Sequence, residues 1–210
     1  MKFGTWVLTP DKYMERPEAD RLLAVARDRA QHASRKHAKV AIRDYFVIHL
    51  TLVSGLRVME IAALRCGDLV MKHQIGSIFV RHGKGNKQRV VFFPASFQNH
   101  YESYLKWKQQ MGESIETESP LIVSSMTGSF MTRRALQKMF KRCAKRAGLP
   151  ENYSIHCLRH TYACFLYKAS DWNLRLVQKQ LGHARISTTQ VYADVMMPDI
   201  GHALNRLPSH

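Results

Sequence analysis

One β-hairpin signal, set in a chain whose other periodic segments are helical, constrains the fold most. The segment "SIFVRHGKGNKQRVVFFP", residues 77–94, joins two runs of β-branched and aromatic residues through a glycine-rich turn. This pattern is typical of two antiparallel strands. The hairpin therefore predicts one small sheet within a largely helical protein.

The other periodic segments predict helices, because their apolar residues recur at helical spacing. The segment "PEADRLLAVARDRA" also has an acidic first turn, which suits a helix N-terminus. We therefore predict an α+β, mainly α-helical fold with a small antiparallel β-sheet. The predicted helices cover residues 17–30, 38–55, 57–69, 95–111, 133–148, 154–170 and 171–183, with a short helix around Tyr192.

The chain is strongly basic. Its 210 residues include 32 Lys+Arg against 16 Asp+Glu, which gives a formal net charge of +16 and a pI near 10.0. The excess is spread along the chain, so it predicts a polyanion such as nucleic acid as the partner. Hydrophobic residues make up 45% of the chain, which favours one packed domain over a ribosomal protein or a nucleic-acid-coating arm.

The cysteines do not predict disulfides or metal. The four cysteines show neither CxxC spacing nor a secreted framework, so reduced thiols in the cytoplasm are expected. Cys157, His160 and Cys164 lie along one predicted helix edge, but no fourth zinc ligand has a recognisable spacing. The stretch "YFVIHLTLV" is too short to cross a bilayer. We expect no metal, no other cofactor and no membrane partner.

The segment "SIHCLRHTYACFLYKAS" concentrates polar side chains at the start of a predicted helix. Its leading serine suits an N-cap, which places His156 and Arg159 in the first turns, where a helix attracts anions. Further along, Gly182 suits a helix C-cap immediately before His183. Taken singly, each of these residues also has an ordinary structural interpretation.

Taken together, six positions resemble the catalytic domain of the tyrosine recombinases, also called phage-type integrases. The matching segments are "SGLRVMEIAALRCGDL", "GKGNKQRVV", "HCLRHTYA" and "LGHARISTTQVY", in the order and separation found in that family. The resemblance extends over roughly residues 16–195, and six ordered positions are far more specific than the HxxR motif alone. The positions that match the catalytic set are Arg57, Lys84, His156, Arg159, His183 and Tyr192.

The resemblance implies DNA strand transfer without metal. Arg57 and Arg159 would clamp the scissile phosphate, because a guanidinium is permanently charged and its planar fork matches phosphate oxygens. Tyr192 would attack phosphorus and form a 3′-phosphotyrosyl bond, which keeps the energy of the broken linkage, so that ATP is not needed. Glu60, one helical turn after Arg57, would orient its guanidinium.

The remaining roles implied by the resemblance concern protons and positioning. His156 would accept the proton of Tyr192. Lys84 at the hairpin tip would protonate the leaving 5′ oxygen, and Lys87 is the alternative general acid. His183 would hydrogen-bond the phosphate and help to position Tyr192.

The expected activity is that of a site-specific DNA recombinase. A type IB topoisomerase-like enzyme and a non-catalytic DNA-binding relative are the alternatives. The expected partners are double-stranded recombination sites, a tetramer of the chain on paired sites with a monomer without DNA, and accessory DNA-bending proteins. The expected setting is bacterial, phage or mobile-element, and nucleoid-associated.

We predict an N-terminal arm over residues 1–16, a catalytic domain over 17–195 and a tail over 196–210. Relatives commonly carry a helical DNA-binding domain before the catalytic one, and here only a short arm precedes the first predicted helix. A stand-alone catalytic recombinase and a truncated chain are both compatible with this arrangement. The apolar tail is expected either to cap its own core or, as the resemblance implies, to dock on a neighbouring protomer.

Overall fold

The computed structural model describes residues 9–33, 35–72, 75–81, 83, 87–196 and 204. The helices are α1 (Arg16–His32), α2 (Arg35–Ser54), α3 (Val58–Ala62), α4 (Gln98–Gln110), α5 (Arg133–Arg146), α6 (Ile155–Ala169), α7 (Leu174–Leu181) and α8 (Ser187–Val195). The strands are β1 (Leu69–Lys72), β2 (Ile75–Val80) and β3 (Arg89–Pro94).

Two helix boundaries expected from the sequence are confirmed. Helix α6 has Ser154 as its N-cap, and the backbone N–H of Ser154 donates to Cys157 Sγ at 3.3 Å. Helix α7 ends at Leu181 with Gly182 as its C-cap, and the Gly182 φ of +65° is the left-handed conformation that glycine adopts without strain. The turn after α7 therefore directs the chain toward α8.

The three strands form one antiparallel sheet in the order β1-β2-β3. Ile78 in β2 lies opposite Leu69 on one side and Val91 on the other, and all three side chains are buried. The predicted hairpin is confirmed as β2 and β3. Strand β1 was not expected, since the sequence leading to it continues a helical pattern.

The helix predicted over residues 57–69 is wrong beyond Ala62. The following residues pair instead with a distant loop, where the Gly67 backbone N–H donates to the Thr117 carbonyl at 3.0 Å. A Cβ on residue 67 would lie only 2.2 Å from Thr117 Cγ2, so this close approach requires glycine. Contacts between segments far apart in sequence thus override the local helical pattern.

The core has two parts. The larger one lies between α1, α2, α4, α5 and the sheet, and in it the ring of Phe46 stacks on Tyr104 with centroids 3.8 Å apart. The smaller one lies where α6, α7 and α8 meet, and it includes Val177 and Tyr192. Ahead of α1, the buried Met14 donates its N–H to Thr161 Oγ1 at 2.8 Å. Among the described helices, none combines the length and apolar character needed to span a membrane.

Candidate active site

Arg159 on α6 links three elements. It is 6% exposed, and its guanidinium donates to the Gly55 carbonyl, to the Leu181 carbonyl at 2.8 Å and to His183 Nε2 at 3.2 Å. Burial, followed by the charge of Arg57, lowers the pKa of Arg159 to about 10. The guanidinium therefore remains a cation at neutral pH, fixed between the end of α2 and the end of α7.

Glu60 on α3 lies between two further arginines. Its Oε1 accepts from Arg57 Nη1 at 3.0 Å and from Arg89 Nη1 at 2.7 Å, and its Oε2 accepts from Arg89 Nη2 at 2.9 Å. Burial acts to raise the pKa of the Glu60 carboxyl, but the hydrogen bonds and charges of Arg89 and Arg57 outweigh it, so that the pKa is lowered. The ionised carboxylate orients both guanidiniums.

Arg89 at the start of β3 is a member of the cluster that the sequence did not predict. Its side chain is 14% exposed and lies against Gly182, where an added Cβ would come within 2.4 Å of Arg89 Cδ. Its Nε is buried without a hydrogen-bond partner among the described residues. An arginine at the base of a hairpin is usually exposed to solvent, so the sequence pattern does not predict that Arg89 lies in the cluster.

His183 connects the arginine cluster to α8. Its Nε2 lies against Arg159, and its Nδ1 is 3.0 Å from Thr189 Oγ1, three residues before Tyr192. Burial, followed by the charge of Arg159, lowers the pKa of His183 to about 3. The imidazole is therefore neutral at pH 7 and has one donor and one acceptor nitrogen.

Tyr192 on α8 is buried, with 1% of its surface exposed. Its hydroxyl lies 3.0 Å from His160 Nδ1. Burial raises the pKa of the phenol above its ordinary value of 10.0. The hydroxyl therefore carries its proton at neutral pH, and it is paired with a histidine that sequence reasoning treats only as a candidate metal ligand.

His156 lies one helical turn before His160 and is exposed. Partial burial, followed by the charges of Arg159 and Arg133, lowers its pKa. It is thus placed toward solvent beside the arginine cluster, whereas His160 faces the Tyr192 hydroxyl.

The hairpin tip is described only in part. Lys84 lies outside the described residues, and its role stays a prediction. At the base of the tip, the Gly83 N–H donates to the Lys87 carbonyl at 3.0 Å, and Lys87 is exposed.

The zinc alternative rests on Cys157, His160 and Cys164. Within the described ranges, no group of three or more His, Cys, Asp or Glu side chains could hold a metal ion. Cys157 and Cys164 are buried free thiols, as expected for small core residues.

The chemical capacity of the site follows from its charges. Two guanidiniums contact the Glu60 carboxylate, and the third, that of Arg159, has no carboxylate contact among the described residues, which leaves a surplus of positive charge next to a phenol and two neutral histidines. Such an arrangement suits a phosphate group and a tyrosine nucleophile. Residues 12–198 of the chain match the sequence profile of the phage integrase family.

The chain belongs to the phage integrase family. The resemblance inferred from the six ordered positions is therefore confirmed. Two bacterial relatives illustrate the match. The chain is 35% identical over 188 residues to tyrosine recombinase XerD of Rickettsia conorii, covering 85% of this chain and 60% of the relative. It is 39% identical over 158 residues to XerD of Ralstonia nicotianae, covering 75% and 50%. The chain thus spans half to three fifths of the length of these integrase-family proteins.

Solved structures of integrase-family proteins have the same fold. A post-cleavage complex of the XerH site-specific recombinase with its palindromic difH substrate superposes with a TM-score of 0.74 at 27% identity, covering 92% of this chain and 52% of that one. XerA recombinase superposes with a TM-score of 0.73 at 25% identity, covering 97% and 67%. The predicted fold class is confirmed.

Three contributors to this integrase-family site were missed by sequence reasoning: His160, Arg89 and Thr189. The spacing of four residues between His156 and His160 was the one available signal, because residues four apart share a helix face. Arg89 acts through a contact with Glu60, which is distant in sequence, whereas Thr189 meets His183 across the turn between α7 and α8.

Proposed function

We propose that the chain is the catalytic part of a tyrosine-type site-specific DNA recombinase, which cleaves and rejoins strands through a 3′-phosphotyrosyl intermediate. The observation that carries this proposal is that Arg159 contacts His183 while the next residue, His160, contacts the hydroxyl of Tyr192, and the charge of Arg57 is close enough to lower the pKa of Arg159. These side chains come from four elements, and the transfer of a phosphate group to a tyrosine would use all of them. The names of the relatives, all tyrosine recombinases, support the same activity.

The proposed cleavage step forms one bond and breaks one. Tyr192 Oη attacks phosphorus and loses its proton, the P–O5′ bond breaks, and the 5′ oxygen takes a proton from Lys84 or, alternatively, Lys87. The two guanidiniums stabilise the negative charge that develops on the non-bridging oxygens. Because arginines supply this stabilisation, we propose that the chemical step needs no divalent metal ion.

Tyr192 must become accessible for this reaction. With 1% of its surface exposed, it cannot meet a DNA phosphate in this arrangement. We propose that DNA binding and assembly uncover the phenol without separating α8 from α6, and that the tail over residues 196–210 exchanges between protomers in a tetramer on paired sites. The remaining proposed features are double-stranded recombination sites as substrate, a monomer without DNA, accessory DNA-bending proteins and a nucleoid-associated location.

A nicked suicide substrate from the native locus tests the proposal, because loss of the short cleaved fragment traps the covalent complex. The unsubstituted chain should form a protein–DNA adduct in the presence of a metal chelator. Tyr192→Phe should bind the same DNA and form no adduct, since only the nucleophilic oxygen is removed. Adduct formation by Tyr192→Phe, or a strict requirement for magnesium in cleavage, would contradict the proposed function.

A further inference from the structure

The hydroxyl of Tyr192 faces a specific nitrogen of a neighbouring histidine. His160 Nδ1 lies 3.0 Å from Tyr192 Oη, and the two rings are tilted by 45° with centroids 6.0 Å apart. His160 follows Arg159 directly on α6, so the same helix presents the phosphate-binding guanidinium and this imidazole. His156, the residue of the HxxR motif, is exposed one turn earlier.

The protonation states of the two partners are complementary. Burial, followed by the charges of Arg159 and His156, lowers the pKa of His160 to about 4, so the ring is neutral at pH 7. Burial raises the pKa of the Tyr192 phenol, which therefore keeps its proton. A neutral imidazole with its proton on Nε2 offers a lone pair at Nδ1. The phenol needs such a partner, because its own ionisation is disfavoured.

We propose that His160, through Nδ1, accepts the proton of Tyr192 during DNA cleavage, in place of His156. This inference rests on the function proposed above. As the Tyr192 Oη–P bond forms and the P–O5′ bond breaks, the phenolic proton passes to His160 Nδ1, and the resulting imidazolium lies beside the phosphate as negative charge develops there. In religation the proton returns to the phenolic oxygen. His156, exposed beside Arg159 and Arg57, is left to contact the phosphate.

Replacing His160 by asparagine distinguishes two roles of this residue: accepting the proton of Tyr192 and positioning its hydroxyl. The Oδ1 atom of asparagine occupies nearly the place of histidine Nδ1, so His160→Asn keeps an acceptor for the phenol but does not carry the proton away. His156→Asn is the matched control on the same helix face. Each variant is combined with a fluorinated tyrosine inserted at position 192 alone, because fluorination makes the phenol more acidic and reduces its need for a base.

The readout is the rate of adduct formation on the suicide substrate. His160→Asn should slow cleavage by about 10²–10⁴-fold, the usual contribution of a general base. Fluorinated Tyr192 should recover most of that loss in His160→Asn and little in His156→Asn. No recovery in His160→Asn, or recovery confined to His156→Asn, would overturn the proposal. Absence of any adduct with the unsubstituted chain would instead refute the proposed function, so the two failures are distinguishable.

A second measurement needs no His160 variant. In the otherwise unsubstituted chain, ¹⁵N NMR of the histidine rings is compared with tyrosine and with fluorinated tyrosine at position 192. A stronger hydrogen bond from the more acidic phenol should shift the Nδ1 signal of His160 and leave that of His156 unchanged. An unmoved His160 signal would contradict the proposal even if His160→Asn does not fold.

Discussion

Glu60 is the residue on which the arrangement of the cations depends. It joins Arg57 at the start of α3 to Arg89 at the start of β3, and it is itself 5% exposed. A buried charge is tolerated when it is paired and hydrogen-bonded, and removal of one partner leaves the other uncompensated. The site holds three guanidiniums and one carboxylate, so its net charge is positive, as binding of a phosphate requires.

Glu60→Gln should therefore lower the free energy of unfolding by about 3–5 kcal/mol at pH 7, the usual cost of breaking a buried ion pair. The pKa of Glu60 is lowered in the folded protein, so its contribution is fully present above the ordinary value of 4.5 and is lost as the pH falls through the folded-state pKa. Urea unfolding of both proteins from pH 7 downward measures the difference, which should stay constant and then shrink below about pH 4.5.

The control for this change is Glu102→Gln on the exposed face of α4, which should alter stability by less than about 0.5 kcal/mol. A loss in Glu60→Gln as small as in the control, or one that grows toward acid pH, would show that Glu60 does not compensate the two arginines.

At the scale of elements, the end of α7 and the start of β3 meet at a single glycine. Gly182 has a φ of +65°, and its missing Cβ leaves the space that Arg89 Cδ occupies. The glycine therefore serves two purposes: it ends the helix, and it admits the side chain that reaches Glu60. Gly148 after α5 has a nearly equal φ of +63° but no heavy atom within 4 Å of an added Cβ.

The two glycines form a matched pair of substitutions. Gly148→Ala should lose about 1–2 kcal/mol of stability from the left-handed backbone alone. Gly182→Ala should lose more, and it should also slow adduct formation, because its methyl group displaces Arg89 from Glu60. Thermal unfolding and the suicide-substrate assay measure the two effects. Equal losses of stability with unchanged cleavage in both variants would mean that the Arg89 contact has no part in the site.

The sequence predicted those elements whose local pattern and packing agree. The hairpin of β2 and β3, the cap at Ser154 and the end of α7 at Gly182 followed from turn and cap chemistry. Helix α3 was predicted too long, because its continuation is decided by the pairing of Gly67 with Thr117. The partner of Tyr192 was missed for the same reason: the contact with His160 spans 32 residues and depends on how α8 packs on α6.

At the scale of the whole molecule, the proposed nucleophile Tyr192 is linked through Met196 to the chain that follows it. Tyr192 and Met196 both lie in the smaller core cluster, and the predicted tail continues from there. An exchange of the tail between protomers would therefore act on α8 directly. Such a head-to-tail contact can close into a ring when two sites pair.

Truncation after Met196 tests this exchange, because it keeps the buried Met196 and removes the residues beyond it. We expect binding to a single site to remain within about twofold, since the cationic site is intact, and cooperative pairing of two sites to weaken markedly. Gel-shift titrations on one-site and two-site DNA measure both quantities. A truncated chain that pairs sites and recombines as well as the full one would show that the tail only caps its own domain.

The most direct test of the central claim is to identify the residue and the DNA end joined in the covalent adduct. After cleavage of the suicide substrate in chelator, protease digestion and mass spectrometry should place a 3′-phosphate on the peptide that contains Tyr192, with the 5′ end released as a free hydroxyl. Attachment to Tyr162 or Tyr167, which also lie in the smaller core cluster, would contradict the account, as would linkage through a 5′-phosphate.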